Sequence, residues 1–165
     1  MNSLSQPISS AYNFGQRWHS SQNDPYAPQP DAALFIGASS GGPVRLSNDD
    51  YIEGAPELLA EIAASSAAID LGDKKRAYRR NGVQEYLVWR VYDRQIDWFR
   101  LQDGDYVSLP VDEQGIMRSQ VFPGLWLAVS AMLSGEMQAV LAALNLGLSS
   151  TEYLVFKQRL AIPQS

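Results

Sequence analysis

Apolar residues fall along this chain in short blocks of changing period rather than in long repeats. Residues 32–36 form a short apolar run just after Pro30-Asp31, which predicts a strand. Residues 58–63 form a second run, Leu-Leu-Ala-Glu-Ile-Ala, which predicts a buried strand carrying one charge, Glu61. A helix is expected over 69–80, stopped by Asn81-Gly82. Residues 85–92 then alternate as a strand, Asp93-Arg94 makes a turn, and 95–101 return as the hairpin partner. Asp103-Gly104 leads into a third antiparallel strand over 106–109. Two helices are expected at the end, over 129–144 and 151–160. Strands, a helix, a meander and helices in that order predict a mixed α+β (α/β) fold: one central mixed sheet flanked by helices.

The flanking segments read differently. Residues 1–29 are rich in Ser, Asn, Gln and Pro without either period, and read as a weakly ordered arm, leaving 30–165 as a single domain. Residues 37–50 read as a Ser/Gly-rich loop. With 165 residues, 45% of them hydrophobic, the chain is long enough for one core. The apolar window 125–148 is interrupted by Ser134, Gly135, Glu136, Gln138 and Asn145, and reads as helix in a soluble protein. No secretory signal is visible at the N-terminus, and a cytoplasmic location without membrane contact is the expectation.

Composition narrows the chemistry. Cysteine is absent, which excludes disulfides, thiolate zinc sites and a cysteine nucleophile. The one histidine, His19, lies in the arm, which argues against a Ser-His-Asp site and against a histidine-based metal cluster. Gly37-Ala38-Ser39-Ser40-Gly41-Gly42 lacks the Lys-Ser/Thr that a phosphate-binding glycine loop needs. A net charge of −5 repels polyanions overall, so nucleic-acid contact requires a local basic patch. Lys74, Lys75, Arg76, Arg79 and Arg80 supply one within seven positions, although taken alone such a run more often forms a solvated helix face. The aromatic residues of the meander fit cross-strand core pairs better than a base-stacking platform.

Against that background three residues stand out. Glu61 sits among Leu58, Leu59, Ala60 and Ile62, where a buried carboxylate must be paired, protonated or cation-bound; a solvent-facing strand edge is the competing reading. Asp31, after a proline that cannot continue a ladder, suits a strand edge facing a cleft or an ordinary turn cap. Lys74 follows Asp70 by four residues on the predicted helix, a spacing that alone indicates no more than an i,i+4 ion pair. Two carboxylates can hold a hard divalent cation, and a nearby ammonium can steady a water nucleophile or the charge growing on a phosphate.

Taken in order, Pro30-Asp31, the run from Gly54 through Glu61-Ile62, Ser65-Ser66, Asp70-Leu71-Gly72-Asp73-Lys74, Tyr78, Gly82 to Trp89 and Val121 to Trp126 resemble the Uma family of restriction-endonuclease-like proteins in the PD-(D/E)xK nuclease superfamily. The resemblance implies a metal site at one edge of the sheet, with Asp31 as first acid and Glu61 as second, both ligands of Mg²⁺ or Mn²⁺. The superfamily commonly places a lysine two residues after the second acid. Ala63 stands there in this chain, and Lys74 matches the family's alternative lysine, with Asp70 as the acid before it. The implied activity is metal-dependent endonucleolytic hydrolysis of DNA, with Lys75, Arg76, Arg79 and Arg80 receiving the phosphate backbone. Family members usually carry a helix and initial strands where residues 1–29 show neither, so the arm reads as a shortened N-terminus. A catalytically inactive nuclease-like binding or assembly module is the alternative. A homodimer is a further expectation, since cutting two strands favours two sites.

Overall fold

The computed structural model describes residues 28–48, 52–64 and 69–162, and the backbone of the short strands β1 (Tyr12–Asn13) and β2 (Trp18–His19). The remaining strands are β3 (Ala32–Leu34), β4 (Arg45–Leu46), β5 (Ile52–Glu53), β6 (Leu58–Ala63), β7 (Glu85–Arg90), β8 (Gln95–Gln102), β9 (Asp105–Ser108), β10 (Ile116–Arg118) and β11 (Trp126–Ala128). Helix α1 begins with a π-helical turn over Asp70–Lys74 and continues as α-helix over Lys75–Arg80. It is followed late in the chain by α2 (Val129–Ser134), α3 (Met137–Leu148) and α4 (Thr151–Leu160).

The main sheet has the order β1-β3-β6-β7-β8-β9. Only β6 and β7 run parallel, joined through α1; every other neighbouring pair is antiparallel. This is the mixed sheet with flanking helices that the sequence predicts. The two-residue turn into β9 has left-handed backbone at both Asp103 (φ 52°) and Gly104 (φ 86°), the geometry that matches strand twist in a tight hairpin.

Alternation assigns each strand residue to one of two faces. On one face Ala33, Leu59, Tyr86, Val88 and Phe99 pack under α1 with Tyr78. On the other, Leu58, Trp98, Leu109, Met117 and Phe122 pack with Phe156 and Leu160 of α4. Most of the aromatic residues of the meander are core: Tyr86 lies opposite Phe99 in register, and both are buried, as is Trp98, while Tyr106 packs half-buried against them and Trp89 is half-buried outside the core clusters. Tyr92 is the exposed exception.

Three expectations need correction. The helix over 129–144 is two helices, because Gly135 adopts a left-handed conformation (φ 78°) and caps α2 before α3 begins at Met137. The loop over 37–50 contains β4 and a 3₁₀ turn over Ala38–Ser40. The β10–β11 hairpin has no counterpart among the expected elements, since three-residue strands are too short to show a period. The reading of residues 1–29 as an arm lies mostly outside the described residues; β1 within it pairs with β3, and β2 with β5.

Helix α3 seats closely on the Phe122–Trp126 segment through two glycines. A Cβ on Gly147 would overlap the Gly124 carbonyl oxygen, and Gly124 itself has φ 90°. Among the described residues no single helix is long and apolar enough to cross a membrane.

Candidate active site

The site grows out of the β6–α1–β7 unit. Glu61 points from β6 toward α1 and is only 2% exposed. Its Oε1 accepts a hydrogen bond from the Tyr78 hydroxyl at 2.7 Å, and its Oε2 accepts one from Lys74 Nζ at 3.0 Å. Lys74 also lies 2.9 Å from Oδ1 of Asp70, itself buried. Asp70, Lys74 and Tyr78 recur at four-residue intervals, so one stripe of α1 faces the carboxylate. The stripe starts in the π-helical turn, a local distortion common at functional sites. Tyr86 braces it from below, donating to the Asp70 carbonyl at 3.0 Å and meeting the Tyr78 ring edge-on at 5.0 Å.

Asp31 joins from the neighbouring strand. In the β3–β6 register Ala32 faces Ala60, so one step further Asp31 stands opposite Glu61 on the same face. Its Oδ2 accepts the Ile62 backbone N–H at 2.7 Å. The structure thus brings Asp31, Glu61, Lys74 and Asp70 to one place. Ala63, two residues after Glu61, is buried in the core, and the lysine of the site comes from α1.

Burial pushes the Glu61 carboxyl above its ordinary value; the bonds from Tyr78 and Lys74 pull it back in part, and the nearby Asp31 charge adds to the rise. For Lys74, burial acts to lower the pKa, but the partners Asp70 and Glu61 together outweigh it and leave the ammonium above its usual value. Tyr78 is raised well beyond the normal phenol range by burial and by Glu61, so it stays a donor. The environment therefore fixes Lys74 as a cation and Tyr78 as a neutral hydroxyl at any working pH.

Three carboxylates, those of Asp31, Glu61 and Asp70, gather around the one ammonium of Lys74, an acidic surplus that suits a divalent cation. Asp31 and Glu61 stand opposite each other across β3 and β6, whereas Asp70 lies on α1 beyond Lys74, so the facing pair is the candidate donor set; among the described residues no group of three acidic or histidine side chains is placed to hold a metal ion together. Two carboxylates with water and phosphate oxygens completing the sphere is the donor set Mg²⁺ ordinarily takes from proteins, so the residues present fit the ion.

The basic cluster divides on folding. Arg76 pairs with Asp73 on the exposed side of α1. Arg79 pairs with Asp105 of β9, and Lys75 Nζ sits 3.4 Å above the centre of the Phe99 ring, with burial lowering its pKa. Arg80 is exposed. An open cleft of about 400 Å³ runs beside Lys74 and is bordered by Pro28, Ile69, Arg76 and Arg80.

Two carboxylates that sequence reasoning passes over are buried as well. Glu57 accepts the Ile36 N–H at 2.9 Å. Glu85, on the opposite face of the sheet from Glu61, accepts from Trp98 Nε1 (3.1 Å), Ser119 Oγ (2.8 Å) and the backbone N–H groups of Gln120 (2.6 Å) and Val121 (3.2 Å). It ties the turn before β11 to the sheet and takes no part in the site. Tyr78 carries a legible signal, its four-residue step from Lys74.

A mixed sheet whose parallel pair β6–β7 is joined by α1, with Asp31 beside it on the approach to β3, defines an α+β protein with a charged cluster on one face of its sheet. The chain belongs to the Uma2 family, described as "Putative restriction endonuclease", which matches residues 6–130 and so includes every site residue above. No curated protein matches the chain. Among solved structures, one described as "a putative nuclease belonging to DUF820", from Anabaena variabilis ATCC 29413, aligns at 15% identity with a TM-score of 0.48, over 65% of this chain and 60% of that one. The chain thus spans about three-fifths of that neighbour's length.

Proposed function

We propose that this chain is a divalent-metal-dependent endonuclease that hydrolyses phosphodiester bonds of DNA, with Asp31 and Glu61 as ligands of Mg²⁺ or Mn²⁺. The observation that carries the reading is Glu61: a carboxylate in the core, opposite a second one, and held by a lysine and a tyrosine instead of being replaced by an apolar side chain. Glu85 is buried among four hydrogen-bond donors and has no second carboxylate opposite it; Glu61 differs in facing Asp31, a like charge that a purely structural bridge does not need. Family membership agrees with it.

Hydrolysis joins a water oxygen to phosphorus as the opposite P–O bond breaks; the water loses a proton and the departing oxygen gains one. When bound, the cation lowers the pKa of water and offsets phosphate charge. Lys74, fixed as an ammonium by its two carboxylates, is unsuited to accept the water's proton. Its part is to donate hydrogen bonds to the attacking water or to the charge that builds on the phosphate. Tyr78 positions Glu61 so that one oxygen stays pinned while the other is shared with Lys74.

The test is nicking of supercoiled plasmid by the purified chain with Mg²⁺, Mn²⁺ or EDTA, beside Asp31→Asn, Glu61→Gln and Lys74→Ala. Cleavage that needs metal and is lost in all three variants is the expected result. Cleavage that survives Glu61→Gln overturns the assignment, and absence of cleavage under every condition favours the non-catalytic binding module.

A further inference from the structure

We infer that one strand of the substrate backbone lies in the cleft beside Lys74, held by Arg76 and Arg80, and that Lys75 and Arg79 take no part in holding it. This rests on the nuclease reading above and says where its substrate runs. The sequence presents these four residues as one basic patch, but α1 distributes them to two sides. Ile69, Asp73, Arg76 and Arg80 follow at intervals of four, three and four and form one stripe. All four border the cleft, which Pro28 closes on the side of the segment leading to Asp31. The cleft therefore lies between the element that supplies the first acid and the helix that supplies the lysine.

Lys75 and Arg79 form the second stripe, and it faces the other end of the sheet. Lys75 lies against Phe99 of β8, and Arg79 is paired with Asp105 of β9. A phosphate reaching them would lie about 100° round α1 from the cleft, toward β8 and β9. Arg76 does have a partner, Asp73, but both side chains are more than 60% exposed, and a solvent-exposed ion pair is weak enough for a phosphate to exchange with the carboxylate. Asp73 also sets a threshold: with a net charge of −5 on the chain, backbone contact is confined to a narrow cationic track, and an acidic group inside that track opposes it.

Two arginines neutralising about one phosphate each contribute roughly 0.7 to 0.9 apiece to the slope of log affinity against log salt, so the whole chain should show a shallow dependence. The experiment measures binding of a fluorescein-labelled oligodeoxynucleotide, single-stranded and as duplex, by anisotropy across a salt series in EDTA, where cleavage is off. Arg76→Gln and Arg80→Gln should each flatten the slope by about that step, Arg79→Gln should leave it unchanged, and Asp73→Asn should tighten binding severalfold. A slope that falls equally in Arg79→Gln, or that stays constant in Arg76→Gln and Arg80→Gln, overturns the inference. Because the readout is binding, plasmid cleavage that still depends on Glu61 then leaves the nuclease reading standing. No salt-dependent binding by the unsubstituted chain, together with no cleavage, removes both.

Discussion

Replacing Lys74 by methionine takes away the cation between two buried carboxylates and keeps the volume of the side chain. Glu61 and Asp70 are 2% and 1% exposed, and Lys74 reaches both at about hydrogen-bond distance. Removing one partner from a buried pair costs about 3–5 kcal/mol, because the other charge stays desolvated. The lysine side chain is a quarter exposed and Tyr78 still donates to Glu61, so the lower end applies, about 3 kcal/mol at pH 8. At about 2–4 °C per kcal/mol for a chain of this size, the melting temperature should fall by roughly 6–12 °C.

The pH dependence gives the sharper test. The folded-state carboxyl of Glu61 already lies above its ordinary value of 4.5, so the native state holds that proton more tightly than the unfolded chain does. The stability this contributes is complete below the unfolded value and is lost as pH climbs through the raised folded value. Lys74→Met removes an interaction that restrains the rise, so the folded carboxyl climbs further and the deficit must grow with pH, by about 1.4 kcal/mol for every tenfold tightening of the proton. Melting curves at pH 5.5 and pH 8 should show the smaller loss at pH 5.5. Adding Glu61→Gln to Lys74→Met should recover part of the loss at pH 8, since a neutral amide still accepts from Tyr78. An equal deficit at both values, or no recovery in the double variant, would refute the account of Glu61 as a buried charge held by Lys74.

Glu85→Gln should lower the melting temperature by several degrees, from a loss of about 2 kcal/mol, because the amide nitrogen turns a donor toward a ring of donors from Trp98, Ser119, Gln120 and Val121; near-ultraviolet circular dichroism of Trp98 should report the same change, while binding of DNA stays as it was. Gly147→Ala improves helix propensity by about 1 kcal/mol and should nonetheless destabilise the chain, since the added methyl meets the Gly124 backbone, which cannot step aside as a side chain would; a melting temperature at or above that of the unsubstituted chain would show that α3 does not seat on the Phe122–Trp126 segment as described.

Much of the site is visible in the sequence because burial and charge conflict there. Glu61 stands out as a charge within an apolar run, and that run is a central strand. Lys74 does not, since its spacing from Asp70 describes a common surface pair; only the approach of β6 to α1 makes the same pair part of a buried network. The basic residues read as one patch because proximity in sequence hides direction, whereas successive residues on a helix point about 100° apart. Glu85 escapes notice for another reason: it opens a strand, where a charge looks solvated, and its partners in the Ser119–Val121 turn are 34 to 36 residues away. Gly135 sits in the polar interruption Ser134-Gly135-Glu136, which suits the solvent face of one continuous helix as well as a break between two, so residue type does not mark its left-handed backbone.

The two acids of the site are anchored in the sheet to different degrees. Glu61 on β6 is tied by side-chain contacts to Lys74 and Tyr78 of α1, and Lys74 in turn to Asp70. Asp31 precedes a strand of only three ladder pairs, with the two-residue β1 outside it, and is fastened to β6 by its own side chain through the Ile62 amide. Short strands near the edge of a sheet exchange their amide hydrogens through local opening at a fraction of the global unfolding free energy. Each such opening separates the donor pair without disturbing Glu61 and its helix. On the proposed reading, a cation held between Asp31 and Glu61 would clasp that margin of the sheet, so adding Mn²⁺ should slow the exchange of the β3 amides, and Glu61→Gln should abolish that effect.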